Sequence, residues 1–245
     1  MAEQLLKLMP KHSRYVEPFC GGAALLFAKE PVAEEILNDK EDKIVNFFKV
    51  LREQGEELQR VCMLTPNALT EYKRALDGKG NPVERARKWF VKTNLSFGNA
   101  PGSGYSRLQS WKMANKADLL MGCAQRLRGV NIENCGALET IKRYDSEDTL
   151  FYCDPPYPDA DQNAYANKFN LQDFNELVDL LDKIKGSFLL SCYRVKGMQI
   201  PGDWEEFSIS KKIYFGDKVQ NRKEIVFRKL NRFSSDMFCG KEWIE

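Results

Sequence analysis

An acid, two prolines and a tyrosine follow directly on a short apolar run in Thr149 to Tyr157, TLFYCDPPY. Leu150, Phe151, Tyr152 and Cys153 have the character of a buried strand, and Pro155 and Pro156 lack the amide hydrogen that a central ladder needs. The strand must therefore stop at Asp154. A carboxylate and an aromatic ring are thereby placed where a strand leaves its sheet, the position at which open α/β sheets bind ligands. A second group lies in SRYVEPFCGGAALLFAKEP, Ser13 to Pro31. Gly21 and Gly22 would let a ligand approach the backbone, at a helix N-terminus whose N–H groups suit a carboxylate or phosphate. An ordinary structural turn is the alternative.

About twenty residues further on, Ile36 and Leu37 end in Asn38-Asp39, where an α/β nucleotide site keeps an acid for ribose hydroxyls. Asp39 could equally cap the helix that follows, since Ile44, Val45, Phe47, Phe48 and Leu51 have helical spacing.

The elements that position these groups read as βα units. Tyr15 and Val16 suit a strand, Glu17 to Gly22 a tight turn, and Ala23 to Lys29 a helix closed by Pro31, after an amphipathic start that Pro10 ends. From Gly55 to Arg128 no strong strand pattern appears. Helical stretches at Ala68 to Leu76 and Val83 to Leu95 flank the polar loop Ser96 to Ser106, with Trp89 and Phe90 assigned to a core. That loop, edged by Phe97, Tyr105, Arg107 and Trp111, suits contact with a nucleic acid. Val130 and Ile132 resume the strand pattern, and Ala137 to Tyr144 predicts a helix leading into the opening strand. Pro158 to Asn170 reads as a loop, Leu171 to Lys185 as a helix and Phe188 to Leu190 as a strand. Alternation at Phe207 to Ile209, Ile213 to Phe215 and Glu224 to Leu230 predicts antiparallel closing strands.

A chain of 245 residues, 43% hydrophobic and 29% charged, can bury a sizeable core. It holds no apolar run of roughly 18 residues and no signal-peptide core at its start, so a cytoplasmic location is expected. The seven cysteines are scattered with no close pair at metal-ligand spacing, so free thiols and no zinc site are expected. His12 is the one histidine, which leaves imidazole-based catalysis little to draw on. The net charge of +2 hides a division, because Glu71 to Arg128 carries +8 and the remainder −6. An insertion facing a polyanion accounts for this. A solvated helical surface is the alternative.

YVEPFCGG at Tyr15 to Gly22 and FYCDPPY at Phe151 to Tyr157 resemble the cofactor and catalytic motifs of Dam-type DNA adenine N6-methyltransferases. The resemblance runs on through Asn38 to Arg52, Pro82 to Phe90, Leu189 to Tyr193 and Asn221 to Phe227. It implies an α/β fold: a Rossmann-like methyltransferase sheet with helices on both faces, formed by residues 1–54 and 129–245, plus an inserted, mainly helical DNA-recognition subdomain at 55–128. It implies S-adenosyl-L-methionine as cofactor, held by Tyr15, Glu17, Pro18, Phe19, Cys20, Gly21, Gly22, Asp39 and Asp154. Asp154, Pro155, Pro156 and Tyr157 are the implied catalytic residues. Arg85, Lys88, Lys92, Arg107 and Lys112 are the implied contacts to double-stranded DNA.

The chemistry explains those residue types. An adenine amino nitrogen is a poor nucleophile because its lone pair is delocalised into the ring. The Asp154 carboxylate and the Pro155 carbonyl would accept its two N–H bonds, and Tyr157 would stack on a base flipped from the duplex. Cytosine C5 methylation is disfavoured, since it needs a cysteine commonly presented after proline and no Pro-Cys dipeptide occurs; methylation of the cytosine amino group is the open alternative. The chain departs from the family pattern twice. A Gly-Gly-Lys motif usually lies upstream of the stretch matching LLKLMPKH, and this chain begins after that point. The turn that commonly carries an acid toward the cofactor adenine reads Asn134-Cys135-Gly136, with Gly136 at the acid's position. A truncated start, a homodimer or partner subunit completing the cofactor site, or a degenerate DNA-binding protein of this fold would each account for both.

Overall fold

A computed structural model describes residues 2–96, 104–106, 110–157, 169–215 and 218–231, with the side chains of 110–112 and 210–222 outside the description. Among the described residues the chain runs α1 (Ala2–Leu6), β1 (Arg14–Glu17), α2 (Ala24–Ala28), β2 (Glu34–Asn38), α3 (Asp42–Glu53), α4 (Gly55–Met63), α5 (Leu69–Ala75) and α6 (Pro82–Asn94). It continues α7 (Ser110–Asp118), α8 (Leu120–Arg126), β3 (Asn131–Glu133), α9 (Ala137–Tyr144), β4 (Thr149–Cys153), α10 (Leu171–Leu181), β5 (Ser187–Cys192), β6 (Glu205–Phe215) and β7 (Lys218–Lys229). The fold is mixed α/β, with a seven-stranded sheet in the order β3-β2-β1-β4-β5-β7-β6. β1 pairs parallel with β2 and with β4, and β4 pairs parallel with β5. The β5–β7 and β6–β7 pairs are antiparallel.

This order places a topological switch point between β1 and β4. The chain leaves β1 toward β2 on one side and comes back to β4 on the other, so the carboxyl ends of these two neighbours bound a crevice. The register sets Val16 beside Phe151, so Glu17 and Asp154 leave the sheet at the same end. All five β4 residues are buried, as expected of a central parallel strand covered on both faces.

The pleat sorts two cores. On one face Val16, Phe151, Cys153, Phe188 and Leu190 pack with Ile141 of α9 and with Phe174, Leu177, Val178 and Leu181 of α10. On the other face lie Tyr15 and Glu17, covered by α2. There Lys29 sits 4.7 Å over the Tyr15 ring and forms a buried 2.7 Å ion pair with Glu35. Removing either partner would strand a buried charge, so this pair anchors α2 against β1 and β2.

The chain divides into two compact units, one built on 1–40 and the segments after 134, the other on 41–134. The sequence reading set these divisions at 54/55 and 128/129. The difference at the first division comes from α3, which packs within the second unit: Phe47 meets Trp89 at 4.4 Å and lies parallel to Phe90 at 6.4 Å. The second unit is mainly helical. α6 starts with Pro82 in its first turn, and Asn81 caps it by accepting from the Glu84 amide. α4, α7 and α8 were not anticipated, because short amphipathic helices carry few apolar repeats.

Two boundaries differ from expectation. α10, opened by an Asn170/Asp173 capping box, ends at Leu181 and not at Lys185. The amides of Lys185 and Gly186 donate to Asp145 and turn the chain into β5. The strands expected at Phe207 to Ile209 and Ile213 to Phe215 are one strand, β6, because its pairing with β7 runs unbroken from Glu205–Arg228 to Phe215–Lys218. No helix among the described residues is long and apolar enough to cross a membrane.

The Asp145 turn brings Gly186 so close to β4 that an added Cβ would stand 2.7 Å from the Thr149 carbonyl oxygen and 3.0 Å from that of Ser146. Backbone cannot yield cheaply. Gly186→Ala should destabilise the protein by about 1–3 kcal/mol, read as a lower urea midpoint with unchanged slope.

Candidate active site

Two loops and one strand of the first unit build the site. The loop after β1 is held by Asn38, the fully buried last residue of β2. Its side-chain amide donates to the carbonyls of Pro18 (2.9 Å) and Cys135 (3.1 Å), and its oxygen accepts from the Cys135 amide (2.9 Å). One asparagine thus ties the glycine turn to the turn before α9. The Cys20 amide donates to the Asn38 carbonyl at 2.9 Å, and the Gly21 amide to Asp39 Oδ2 at 3.0 Å. Gly21 has φ +47° and Ala23 φ +50°, so the chain twists through the left-handed region to enter α2.

Asp39 is not the cap of α3. That position is Glu41, whose side chain makes no capping bond, while Asp39 is turned back onto the glycine turn. Of the amides at the start of α2, that of Leu26 donates to Glu17 Oε1 at 2.9 Å. The same oxygen accepts from the Tyr15 hydroxyl at 2.8 Å. Tyr15 and Glu17 are both buried. Burial raises the Glu17 carboxyl to about 8; its two hydrogen bonds oppose the rise and the nearby Asp154 charge adds to it.

At the end of β4, Asp154 is half-buried and Pro155 buried. The Tyr157 hydroxyl lies 3.0 Å from Asp154 Oδ1 and 3.3 Å from Oε1 of Glu224, a buried residue of β7. Burial, then the charges of Asp154 and Glu224, hold that phenol well above its usual range. Tyr193 meets the Tyr157 ring edge-on at 4.5 Å, and Phe169 meets Phe19 edge-on at 5.6 Å. Aromatic walls and carboxylates therefore share one end of the sheet. Such a lining suits a flat ring and a cationic group. A Cβ added at Gly21, Gly22 or Gly136 would meet nothing within 4 Å, so the backbone here borders open space that a bound group can fill.

Residues 1–78 match the family model described as D12 class N6 adenine-specific DNA methyltransferase. A DNA N-6-adenine-methyltransferase of Escherichia phage P1 is 24% identical over 206 residues, which cover 73% of this chain and 26% of that protein. A Type II methyltransferase of Lactococcus lactis subsp. cremoris is 25% identical over 211 residues, 75% of this chain and 73% of its own length. These matches make the chain similar to adenine-specific DNA methyltransferases. The aligned part thus spans 26% of the phage relative. A conserved hypothetical protein of Streptococcus pyogenes aligns over 96% of this chain and 97% of its own with a TM-score of 0.40 and 8% identity, too low a likeness to argue from.

The residues assigned from the sequence do not all fall in one place. Glu17 to Gly22, Asp39 and Asp154 to Tyr157 sit together at the sheet end, whereas the Tyr15 ring is enclosed beneath it. Arg85 and Lys88 of α6 are paired, Arg85 with Asp42 and Lys88 with Asp77 at 2.7 Å. Burial lowers the pKa of Lys92. Arg107 and the side chain of Lys112 lie outside the described residues, as do most of the glycine loop and residues 158–168. Asn38 and Glu224 were missed as site residues. A polar residue at a strand end was the available signal for Asn38; for Glu224 it was a place in the family-like stretch Asn221 to Phe227, although only strand pairing brings β7 to this end.

A glutamate that titrates near 8 when folded and near its ordinary 4.5 when unfolded stabilises the fold below pH 4.5, and this contribution is lost as pH rises toward 8. Urea unfolding should show stability falling between pH 5 and 8 by on the order of 1 kcal/mol per pH unit. Glu17→Gln, which mimics the protonated side chain, should flatten that slope.

Proposed function

We propose that the protein is a DNA adenine N6-methyltransferase that takes its methyl group from S-adenosyl-L-methionine and acts on a base flipped out of double-stranded DNA. The observation that carries this reading is the placement of Asp154 to Tyr157 beside the Glu17 to Gly22 loop at one switch point. The family match and the two methyltransferase relatives support reading these residues as an acceptor pair and a cofactor loop.

When bound, the cofactor supplies an electrophilic methyl group on a sulfonium. The open backbone at Gly21 and Gly22, with Phe19 beside it, would hold it, and Asp39 would stand at its ribose. Asp154 and the Pro155 carbonyl accept hydrogen bonds from the two amino N–H groups of the adenine. This draws the lone pair out of the ring and aims it at the methyl group. As methyl transfers, positive charge develops on the amino nitrogen, and Asp154 stabilises it at short range. Tyr157, braced by Tyr193, offers the ring face on which the flipped base stacks, offsetting a few kcal/mol of lost base stacking. Burial of the surrounding carboxylates and phenols keeps water from competing for these contacts. The excess of positive charge between Glu71 and Arg128 supports DNA as the substrate.

Incubation with labelled cofactor and adenine-containing duplex tests the reading; no transfer to adenine in any sequence context by folded protein would sink it. Asp154→Ala should lower transfer by on the order of a hundredfold or more. DNA affinity should change little, because phosphate contacts dominate it. Gly22→Val should fold normally, since its side chain would enter open space, yet weaken calorimetric cofactor binding by at least about tenfold through occlusion.

A further inference from the structure

Glu224 is the carboxylate at this site that the proposed chemistry leaves without a task. It is 2% exposed, lies on the antiparallel strand β7, and reaches the Tyr157 hydroxyl at 3.3 Å. The same hydroxyl reaches Asp154 Oδ1 at 3.0 Å. A phenol carries one proton, so a straight, full-strength bond goes to one carboxylate at a time. Tyr193 packs edge-on against the Tyr157 ring, and Tyr152 and Cys192 are further neighbours of the two carboxylates.

This inference rests on the methylation reading, in which Asp154 must accept from the adenine amino group. While Tyr157 donates to Asp154 Oδ1, part of that acceptor is taken. We propose that Glu224 is a positioning residue that receives the Tyr157 hydroxyl proton as a hydrogen bond when the substrate amino group arrives, so that Asp154 is released for it and the Tyr157 ring stays fixed. No covalent bond changes in this step. The O–H vector of Tyr157 turns from Asp154 to Glu224, and the amino N–H takes its place on Asp154. Without Glu224, the incoming amino group would have to displace a hydroxyl that has lost the acceptor shown for it at 3.3 Å, which is unfavourable. The penalty falls on the bound complex approaching the transition state and not on the grip on DNA, so it belongs in kcat.

The test is a cycle of wild type, Glu224→Ala, Tyr157→Phe and the double variant, with Glu224→Gln as the conservative control. Glu224→Ala should lower kcat by on the order of tenfold while KM for DNA stays within about twofold. Glu224→Gln should restore most of the rate, because its amide oxygen still accepts. In the Tyr157→Phe background, where there is no hydroxyl to receive, Glu224→Ala should change kcat little further. An equal loss in both backgrounds, or a glutamine variant as slow as the alanine one, overturns the inference. If wild type transfers no methyl to adenine, the methylation reading falls and takes the catalytic use of the pair with it. Denaturant midpoints of the same four proteins then decide the contact alone: non-additive midpoints show the shared hydroxyl, and additive ones remove it.

Discussion

Two consecutive prolines cannot join a hydrogen-bonded ladder, and much of this site follows from that constraint at the end of β4. Pro155 and Pro156 end a fully buried strand beside β1, at the point where the strand order reverses. The backbone there must leave the sheet. It carries Asp154 and Tyr157 out at the same end as Glu17 and the glycine turn. Had β4 continued, Asp154 would occupy a pleat position inside the sheet, where a lone carboxylate would need neutralisation.

Once the crevice exists, its difficulty is an excess of carboxylates in a poorly solvated space. Each is answered differently. Glu17 is buried between the Tyr15 hydroxyl and the Leu26 amide and holds its proton to high pH. Asp39 accepts from the Gly21 amide, and Asp154 and Glu224 share one phenol. The same arrangement gives each loop a fixed shape, because a buried acceptor left unsatisfied is expensive. A site that gathers positive charge during a reaction benefits from such fixed acceptors, which need no rearrangement at the moment of transfer.

Asn38 does for the loops what the prolines do for the strand. Its amide reaches both the Pro18 carbonyl and the Cys135 backbone, the latter 97 residues beyond Asn38, so both turns are held by one side chain. The basic surface of the second unit is less simple than its charge suggests. Arg85, Arg87 and Lys88 are all committed to acids within that unit, so a positive total along the chain does not translate residue by residue into cations facing outward.

The sequence alone determined the ends of things: where β4 stops, where the glycine turn falls, and which stretches alternate or repeat at helical spacing. These are local properties of proline, glycine and apolar periodicity, and they made the α/β architecture and the Asp154 to Tyr157 motif legible. Only the tertiary structure decided which partner each polar group has. Asp39 turned to Gly21 and not to the α3 cap, Glu17 took the Leu26 amide, and Glu224 arrived at Tyr157 from a strand 67 residues away. Burial rewards any geometry that satisfies a polar group. The chain order does not say which neighbour will be nearest, because that depends on strand pairing between segments far apart in sequence.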